Sequence, residues 1–157
     1  MRIDDEIQTR KFRNERHKAT INIVFTSNWI THILEKRAGE AQITLQQFNV
    51  LRILRGQYPN PVTNSLLKDR MLDRMPDVSR IIDRLVAKGL VSREKCATDR
   101  RAADLKITAK GLETLANLED SMLMMDILQE NISEAECQAL NELLDKLRGH
   151  KSTDTAH

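Results

Sequence analysis

The chain has 157 residues, of which 40% are hydrophobic and 31% are charged, and its net charge is +2 at pH 7. This length and balance support one folded domain and exclude an intrinsically disordered chain. The two cysteines form no CxxC pair, so reduced thiols are expected rather than a disulfide framework or a zinc ribbon. The apolar runs are too short to cross a bilayer and the N-terminus lacks the apolar segment of a signal peptide, so we expect a cytoplasmic protein.

Charge is unevenly distributed along the chain. Residues 1–61 carry 10 Lys and Arg against 6 Asp and Glu, residues 62–111 carry 12 against 7, and residues 112–157 carry 3 against 10. A basic middle section is typical of a protein that meets a polyanion such as nucleic acid. The same distribution also arises when charges fall unevenly on solvated helix faces, so charge alone leaves both interpretations open.

The first predicted element is one long helix. No proline or glycine lies between Asp4 and Arg37, and Gly39 then supplies the stop. The second half of this helix has an apolar face wider than one intramolecular contact requires, which indicates burial against a second partner. That face comprises Ile23, Val24, Phe25, Trp29, Ile30, Ile33 and Leu34.

Three shorter helices follow. The first, "TLQQFNVLRILRGQ", begins at the N-cap Thr44, and the second, "VTNSLLKDRML", begins at Thr63. The third, "DVSRIIDRLVAK", is closed by Gly89 and has two different faces. Two short helices predict a helix-turn-helix when the second has one apolar face and one basic face, as here. Its buried face comprises Val78, Ile81, Ile82 and Leu85, whereas Asp77, Arg80, Arg84 and Lys88 project from the other face.

After the third short helix the hydrophobic period changes from that of a helix to that of a strand. Ala103, Leu105 and Ile107 alternate with their neighbours, which predicts a half-buried strand, and "LVSREKC" is its partner. A hairpin directly after a helix-turn-helix is the wing of a winged helix. Arg100 and Arg101 lie at its tip, where they form either an ordinary solvated turn or a contact to an anion.

Two more helices are predicted at the C-terminal end of the chain. Thr108 caps the first, "AKGLETLANLEDSMLMMDIL", and the capping box "SEAE", with Ser133 at the cap and Glu136 three residues later, opens the second. Their apolar stripes comprise Leu112, Leu115, Met122 and Met125 in the first helix and Cys137, Leu140, Leu144 and Leu147 in the second.

Residues 72–111, "LDRMPDVSRIIDRLVAKGLVSREKCATDRRAADLKITAKG", resemble the MarR family of bacterial transcriptional regulators. In that family a recognition helix of the form "vtrlvdrLekkGlv" leads to a wing containing "DRR" and then "iTxkG". The match is dense over about residues 44–115, and the flanking helices agree in number, order and length.

The resemblance implies a mainly α fold with a small β-hairpin wing, organised as one domain over residues 1–157. The winged helix-turn-helix spans about residues 44–111, and residues 4–38 and 112–148 form a helical dimerisation region. The resemblance further implies a homodimer that binds a pseudo-palindromic operator in double-stranded DNA.

Several DNA-contacting residues are expected from their position on the helix-turn-helix. Ser79, Arg80 and Arg84 lie on the second helix. Arginine is the side chain best suited to hydrogen-bond with guanine edges and with phosphate oxygens. The supporting helix offers candidates for phosphate contact. The remaining candidates on these two helices are Asn64, Ser65, Lys68 and Asp77.

The roles of the wing residues come from the resemblance. In the MarR family a wing arginine commonly enters the minor groove, which implies Arg100 as the groove contact. Asp99 and Arg101 are implied to hold the wing in position, either because they pair with each other or because Arg101 pairs with Asp83. The roles of the two arginines could be reversed, so both are candidates for DNA contact.

Three functional hypotheses remain open from the sequence. The first is a DNA-binding repressor released by a small aromatic or phenolic ligand, and the second is the same regulator controlled by oxidation of Cys96. The third is a winged helix used only for protein–protein contact. No catalytic grouping or phosphate-binding glycine loop is evident, so we expect no enzyme activity, no cofactor and no metal site. The residues predicted to line a ligand pocket are Phe25, Trp29, Phe48 and Leu51.

Overall fold

The structure, a computed structural model, describes residues 2–7, 11–71, 77–95 and 103–149. This part of the chain is mainly helical and contains a two-stranded antiparallel hairpin, as the sequence predicted. None of its helices is long and apolar enough to cross a membrane. The elements are α1 (Ile3–Glu6), α2 (Glu15–Glu40), α3 (Leu45–Gln57), α4 (Asn64–Arg70), α5 (Val78–Ala87), β1 (Val91–Lys95), β2 (Ala103–Ile107), α6 (Ala109–Met122), α7 (Met125–Asn131) and α8 (Glu134–Leu147).

The chain divides into two compact units, Met1–Met122 and Leu123–His157. The first unit contains α1 to α6 and the hairpin, and the second contains α7 and α8. A continuous apolar core joins α3, α4, α5, the hairpin and α6 within the first unit. Its largest fully buried side chains are Val50, Leu51, Leu54, Val62, Leu67, Ile82, Leu85, Leu105 and Leu115.

The prediction of one uninterrupted N-terminal helix was wrong. Helix α1 ends at Glu6, and α2 begins only after Asn14, whose side chain accepts a hydrogen bond from the backbone N–H of His17 at 2.9 Å. Asparagine competes in this way with helical hydrogen bonding, so it favours a helix start over a helix interior. Helix α2 also continues through Gly39, the predicted stop, and ends at Glu40. The left-handed residue that follows the helix is Gln42, whose φ is 58°.

The sequence correctly indicated where α3 and α4 begin and where α5 ends. Thr44 caps α3 in a capping box with Gln47, and Thr63 caps α4 by accepting from the N–H of Leu66. Gly89 follows α5 with a φ of 70°, a conformation that glycine adopts without steric cost. These residues fix the start of α4 and the end of α5, the two helices of the helix-turn-helix.

The hairpin pairs β1 with β2 from Val91 opposite Ile107 to Lys95 opposite Ala103. Leu105 and Ile107 are buried as the alternation predicted, whereas Ala103 is half-buried. Leu105 also exchanges two backbone hydrogen bonds with Val62, which lies between α3 and α4. This extra bridge fastens the hairpin to the helix-turn-helix.

The first C-terminal helix is shorter than its sequence pattern predicted. Helix α6 ends at Met122, because Met124 adopts a left-handed conformation with a φ of 54°, and α7 then begins at Met125. Leu115, Leu118 and Met122 on α6 belong to the core of the first unit. In the second unit, the predicted capping box of Ser133 and Glu136 opens α8.

Candidate nucleic-acid interface

Helix α5 presents one apolar face and one polar face. Val78, Ile81, Ile82 and Leu85 are all buried, the last two completely. The exposed side carries Ser79, Arg80, Asp83 and Arg84. The burial of one face fixes the rotation of the helix about its own axis, so the polar face is held outward. A rigid helix with two exposed arginines is suited to contacting phosphate oxygens and the edges of bases.

Asp77 is placed differently from the other candidate contact residues. It is the N-cap of α5, and its carboxylate accepts a hydrogen bond from the backbone N–H of Arg80 at 3.2 Å. This contact fixes the start of α5 at the point where its first side chains emerge. The carboxylate is thus engaged by the helix itself.

The supporting helix α4 carries the three weaker candidates. Asn64 and Ser65 are exposed in its first turn, and Lys68 is exposed one turn later. Leu67 on the same helix is completely buried, and it anchors α4 in the core next to α5. The three polar side chains therefore face solvent on the helix that precedes the recognition helix.

An ion pair joins α5 to the first strand of the wing. The guanidinium of Arg93 on β1 donates to the carboxylate of Asp83 on α5, with an N–O distance of 2.7 Å. Asp83 was predicted to position the wing, and its partner among the described residues is Arg93, which the sequence had not singled out. The predicted wing residues Asp99, Arg100 and Arg101 lie outside the described residues.

A known protein family matches the part of the chain that carries these helices and the exposed arginines. The model of the MarR family matches residues 43–103, which run from the start of α3 to the first residue of β2. This match identifies a MarR-like segment that covers less than half of the chain. The match and the solved structures together support a DNA-binding transcription regulator with a winged-helix fold.

Solved MarR-family structures match most of the chain. A MarR-like transcription regulator from Bacillus cereus is 25% identical, with a TM-score of 0.74, over 87% of this chain and 97% of that one. A cysteine-to-serine variant of MarR from E. coli, complexed with operator DNA, is 26% identical, with a TM-score of 0.72, over 87% of this chain and 98% of that one. The S. aureus MepR–DNA complex is 21% identical, with a TM-score of 0.70 over 83% of this chain and 96% of that one, and this likeness concerns the fold.

The four residues predicted to line a ligand pocket fall into two groups. Phe48 and Leu51 on α3 are buried at 7% and 0% exposure and belong to the core of the first unit. Phe25 and Trp29 on α2 are half-buried, and they are not among the described side chains that pack against that core. Phe48 and Leu51 therefore stabilise the winged helix itself, and a shared ligand lining with Phe25 and Trp29 stays a prediction.

One carboxyl group in the second unit has a perturbed acidity. The backbone N–H of Ser133 and then its hydroxyl donate to Glu136, and these hydrogen bonds hold the pKa of that carboxyl below its usual value of 4.5. The contact belongs to the cap of α8. It therefore bears on the stability of that helix and not on the polar face of α5.

Sequence reasoning missed Arg93 because it lies ten positions after Asp83, beyond the reach of any helix spacing. Arg93 is exposed on β1, and its pairing with Asp83 depends on the packing of β1 against α5, which no sequence spacing shows. A basic residue on the first wing strand, close to the acidic residue of the recognition helix, is the pattern to look for in related chains.

Proposed function

We propose that this protein is a homodimeric transcriptional repressor that binds a pseudo-palindromic operator through α5 and the wing and is released by a small ligand. The observation that carries the DNA-binding part is the exposed polar face of α5, with Arg80 and Arg84 on the second helix of a winged helix-turn-helix. The major groove of B-DNA is about 12 Å wide and admits such a helix. The complex of the E. coli MarR variant with operator DNA supports DNA binding by a chain of this fold.

The predicted contacts divide into two chemical roles. Ser79, Arg80 and Arg84 are proposed to meet bases and phosphates in the major groove. Asn64, Ser65 and Lys68 on α4 are proposed to contact the phosphate backbone, which fixes the register of the protein on the duplex. We propose Arg100 for the minor groove, with Arg101 as the alternative for that role.

The homodimer is proposed from exposed apolar side chains on two helices, each considered in its own unit. On α2, Ile23 and Val24 are 39% and 56% exposed. On α8, Leu143 and Leu147 are each 65% exposed. Large apolar side chains that are so exposed favour burial in a partner, and a second copy of the chain is the partner proposed here.

A substitution pair tests the dimer. Leu143→Gln combined with Leu147→Gln is expected to shift the protein from dimer to monomer in sedimentation velocity. Tyr58→Gln is the matched control, because Tyr58 is 59% exposed but lies outside the proposed dimerisation helices. A double variant that sediments as the wild type does, at every concentration, contradicts the proposed dimer surface.

Release by a ligand is proposed because binding of a dimer to DNA depends on the separation of its two recognition helices. Half-sites in successive major grooves are about 34–36 Å apart, so a small molecule that changes this separation weakens binding without touching DNA. Screening aromatic acids and phenols for shifts in melting temperature and operator affinity tests the idea. If none acts, peroxide is the next effector to test, with Cys96→Ser as the control.

The protein-contact hypothesis has less support than DNA binding. An interface made by α5 requires apolar or aromatic anchors at its centre. The exposed side of α5 instead carries two arginines and Asp83. No enzyme activity, cofactor or metal is part of the proposal, and the protein is proposed to act in the cytoplasm, where its DNA lies.

Binding to a duplex from the promoter region of its own gene tests the central proposal. The affinity is expected to fall linearly on a plot of log affinity against log salt, since bound phosphates release counterions. A matched duplex of scrambled sequence measures the non-specific part. If both duplexes bind equally weakly, and selection from a random duplex library enriches no sequence, the proposed function is wrong.

A further inference from the structure

The C-terminal end of α5 is held by residues that follow the wing. The hydroxyl of Thr108 donates to the carbonyl oxygen of Gly89 at 2.7 Å, and the ammonium of Lys110 donates to the carbonyl oxygen of Lys88 at 3.0 Å. The last carbonyl groups of a helix have no partners within it, so such donors stabilise its end. The start of α6 therefore fastens one side of this end of α5.

The side chain of Lys88 fastens the same end from another direction. Its ammonium donates to the carbonyl oxygen of Gln42 and, at 3.4 Å, to Oε1 of Gln47. Gln42 lies in the turn that directly follows α2, and Gln47 lies in the first turn of α3. One lysine thus links the recognition helix to the junction between two other helices.

Both acceptors of Lys88 are themselves fixed. Gln42 adopts a left-handed backbone conformation, and its N–H donates to the carbonyl oxygen of Gly39 at 2.9 Å. Gln47 is buried, with 2% exposure, and its Oε1 also accepts from the N–H of Thr44 at 3.1 Å. An ammonium that donates to two oriented oxygens makes charge-assisted hydrogen bonds, which are stronger than neutral ones.

These contacts change the expected role of Lys88. The sequence placed it on the same basic face as Arg80 and Arg84, which suggests a phosphate contact. In the structure its ammonium points back to the protein, to the turn between α2 and α3. A cation used in this way holds a helix in place and leaves fewer donors for DNA.

We propose that Lys88 is a positioning residue that sets the angle at which α5 meets DNA by tying its C-terminal end to the end of α2. This inference rests on the proposed DNA binding. It deepens that proposal, because α2 is a proposed dimerisation helix and Lys88 then connects each recognition helix to the dimer. A change in the orientation of α2 is transmitted through Lys88 to the separation of the two recognition helices.

A salt series separates positioning from direct contact. Lys88→Met is expected to lower operator affinity about tenfold. It leaves the slope of log affinity against log salt unchanged, because no phosphate contact is lost. A direct contact predicts instead that the slope falls by about 0.9. Lys68→Met shows the result for a direct contact, since it removes the same charge from an exposed, proposed phosphate contact on α4, and its slope is expected to fall. A reduced slope for Lys88→Met, or unchanged affinity, overturns the proposal.

A second pair of variants tests the link without removing the charge. Gln47→Met removes one acceptor of Lys88 and also one half of the cap of α3. Thr44→Val removes the other half of that cap and leaves Oε1 of Gln47 in place for Lys88. If Lys88 positions α5, Gln47→Met loses more operator affinity than Thr44→Val. The comparison holds when the two variants have the same melting temperature. Equal losses for the two variants contradict it.

A measurement without DNA distinguishes failure of this inference from failure of the proposed function. Hydrogen exchange of the full-length protein is expected to be faster in Lys88→Met than in wild type at the backbone amides of residues 41–43 and at the last turn of α5. If wild type binds no DNA but these amides exchange faster in the variant, the link exists and the proposed function is wrong. If exchange is unchanged there, the link is absent whatever the DNA result.

Discussion

The carboxylate of Asp83 on α5 and the guanidinium of Arg93 on β1 form an ion pair at 2.7 Å. Their side chains are 62% and 38% exposed, so the pair contributes only about 0–1 kcal/mol to folding. Its position is more informative than its strength. It joins α5 to the first strand of the wing, the two elements that are proposed to contact DNA.

Asp83→Asn is therefore expected to weaken operator binding while leaving the melting temperature nearly unchanged. Simple electrostatics predicts the opposite, because removing a negative charge near phosphate favours binding. Fluorescence anisotropy with labelled operator measures the difference. A double-mutant cycle with Arg93→Gln is the control, since two residues that act as a pair show a coupling energy. Tighter binding by Asp83→Asn contradicts the positioning role.

Arg80→Ala is expected to reduce discrimination between bases. If the guanidinium contacts a guanine, its loss lowers the preference for operator over a mutated operator by about 1–3 kcal/mol. The comparison requires both duplexes at the same salt concentration. Arg52→Ala is the matched control, because Arg52 is an exposed arginine on α3, outside the proposed interface. Equal loss of affinity for both duplexes indicates a phosphate contact instead.

Arg100→Ala is expected to act mainly through charge. An arginine in the narrow minor groove responds to groove shape and negative potential more than to base identity. The variant is therefore expected to fold and dimerise normally while the slope of log affinity against log salt falls by about 0.9. The same salt series on Arg101→Ala shows which arginine has this role. If both variants bind as tightly as wild type at every salt concentration, the wing tip is an ordinary solvated turn.

Gly111 has almost no room for a side chain. A Cβ at this position lies 2.4 Å from the carbonyl oxygen of Leu90 and 2.7 Å from Cγ1 of Ile107. Because the closer atom belongs to the backbone, Gly111→Ala is expected to destabilise the fold by about 1–3 kcal/mol. Urea denaturation followed by circular dichroism measures this.

Gly56 provides the matched control for that substitution. It lies in α3 with no atom within 4 Å of an added Cβ. Gly56→Ala is therefore expected to stabilise the protein by about 0.5–1 kcal/mol through helix propensity. If the two variants have the same free energy of unfolding, the close approach of α6 to the end of the recognition helix is not a constraint on stability.

The cap of α8 is expected to depend on pH. Hydrogen bonds from Ser133 lower the pKa of Glu136 below 4.5 in the folded state. A lowered folded-state pKa gives stability that is complete above the usual pKa and is lost as the pH falls through the lower value. Glu136→Ala is thus expected to reduce the melting temperature more at about pH 7 than at about pH 3. Glu136→Gln keeps an acceptor for the cap and loses this pH dependence.

Much of the winged helix was determined by local sequence. Thr44, Thr63 and Ser133 are N-caps because a short hydroxyl side chain satisfies the first free N–H groups of a helix, whatever surrounds it. The buried face of α5 and the alternation of Leu105 and Ile107 follow from periodicity, which needs only the elements themselves. These features, together with the density of motif residues, were sufficient to indicate the family.

Other features depended on contacts distant in sequence. The sequence analysis missed the break before Asn14 and the left-handed turn at Met124. Neither residue is a strong helix breaker, and the helical pattern of the sequence continues past both. The pairing of Asp83 with Arg93, and the turning of Lys88 toward Gln42, join groups on different elements. A charged side chain on an exposed helix face has the same sequence signature whether it meets solvent, DNA or a neighbouring turn. Only the tertiary structure decides which of these it meets, because it brings the oxygen acceptors to one place.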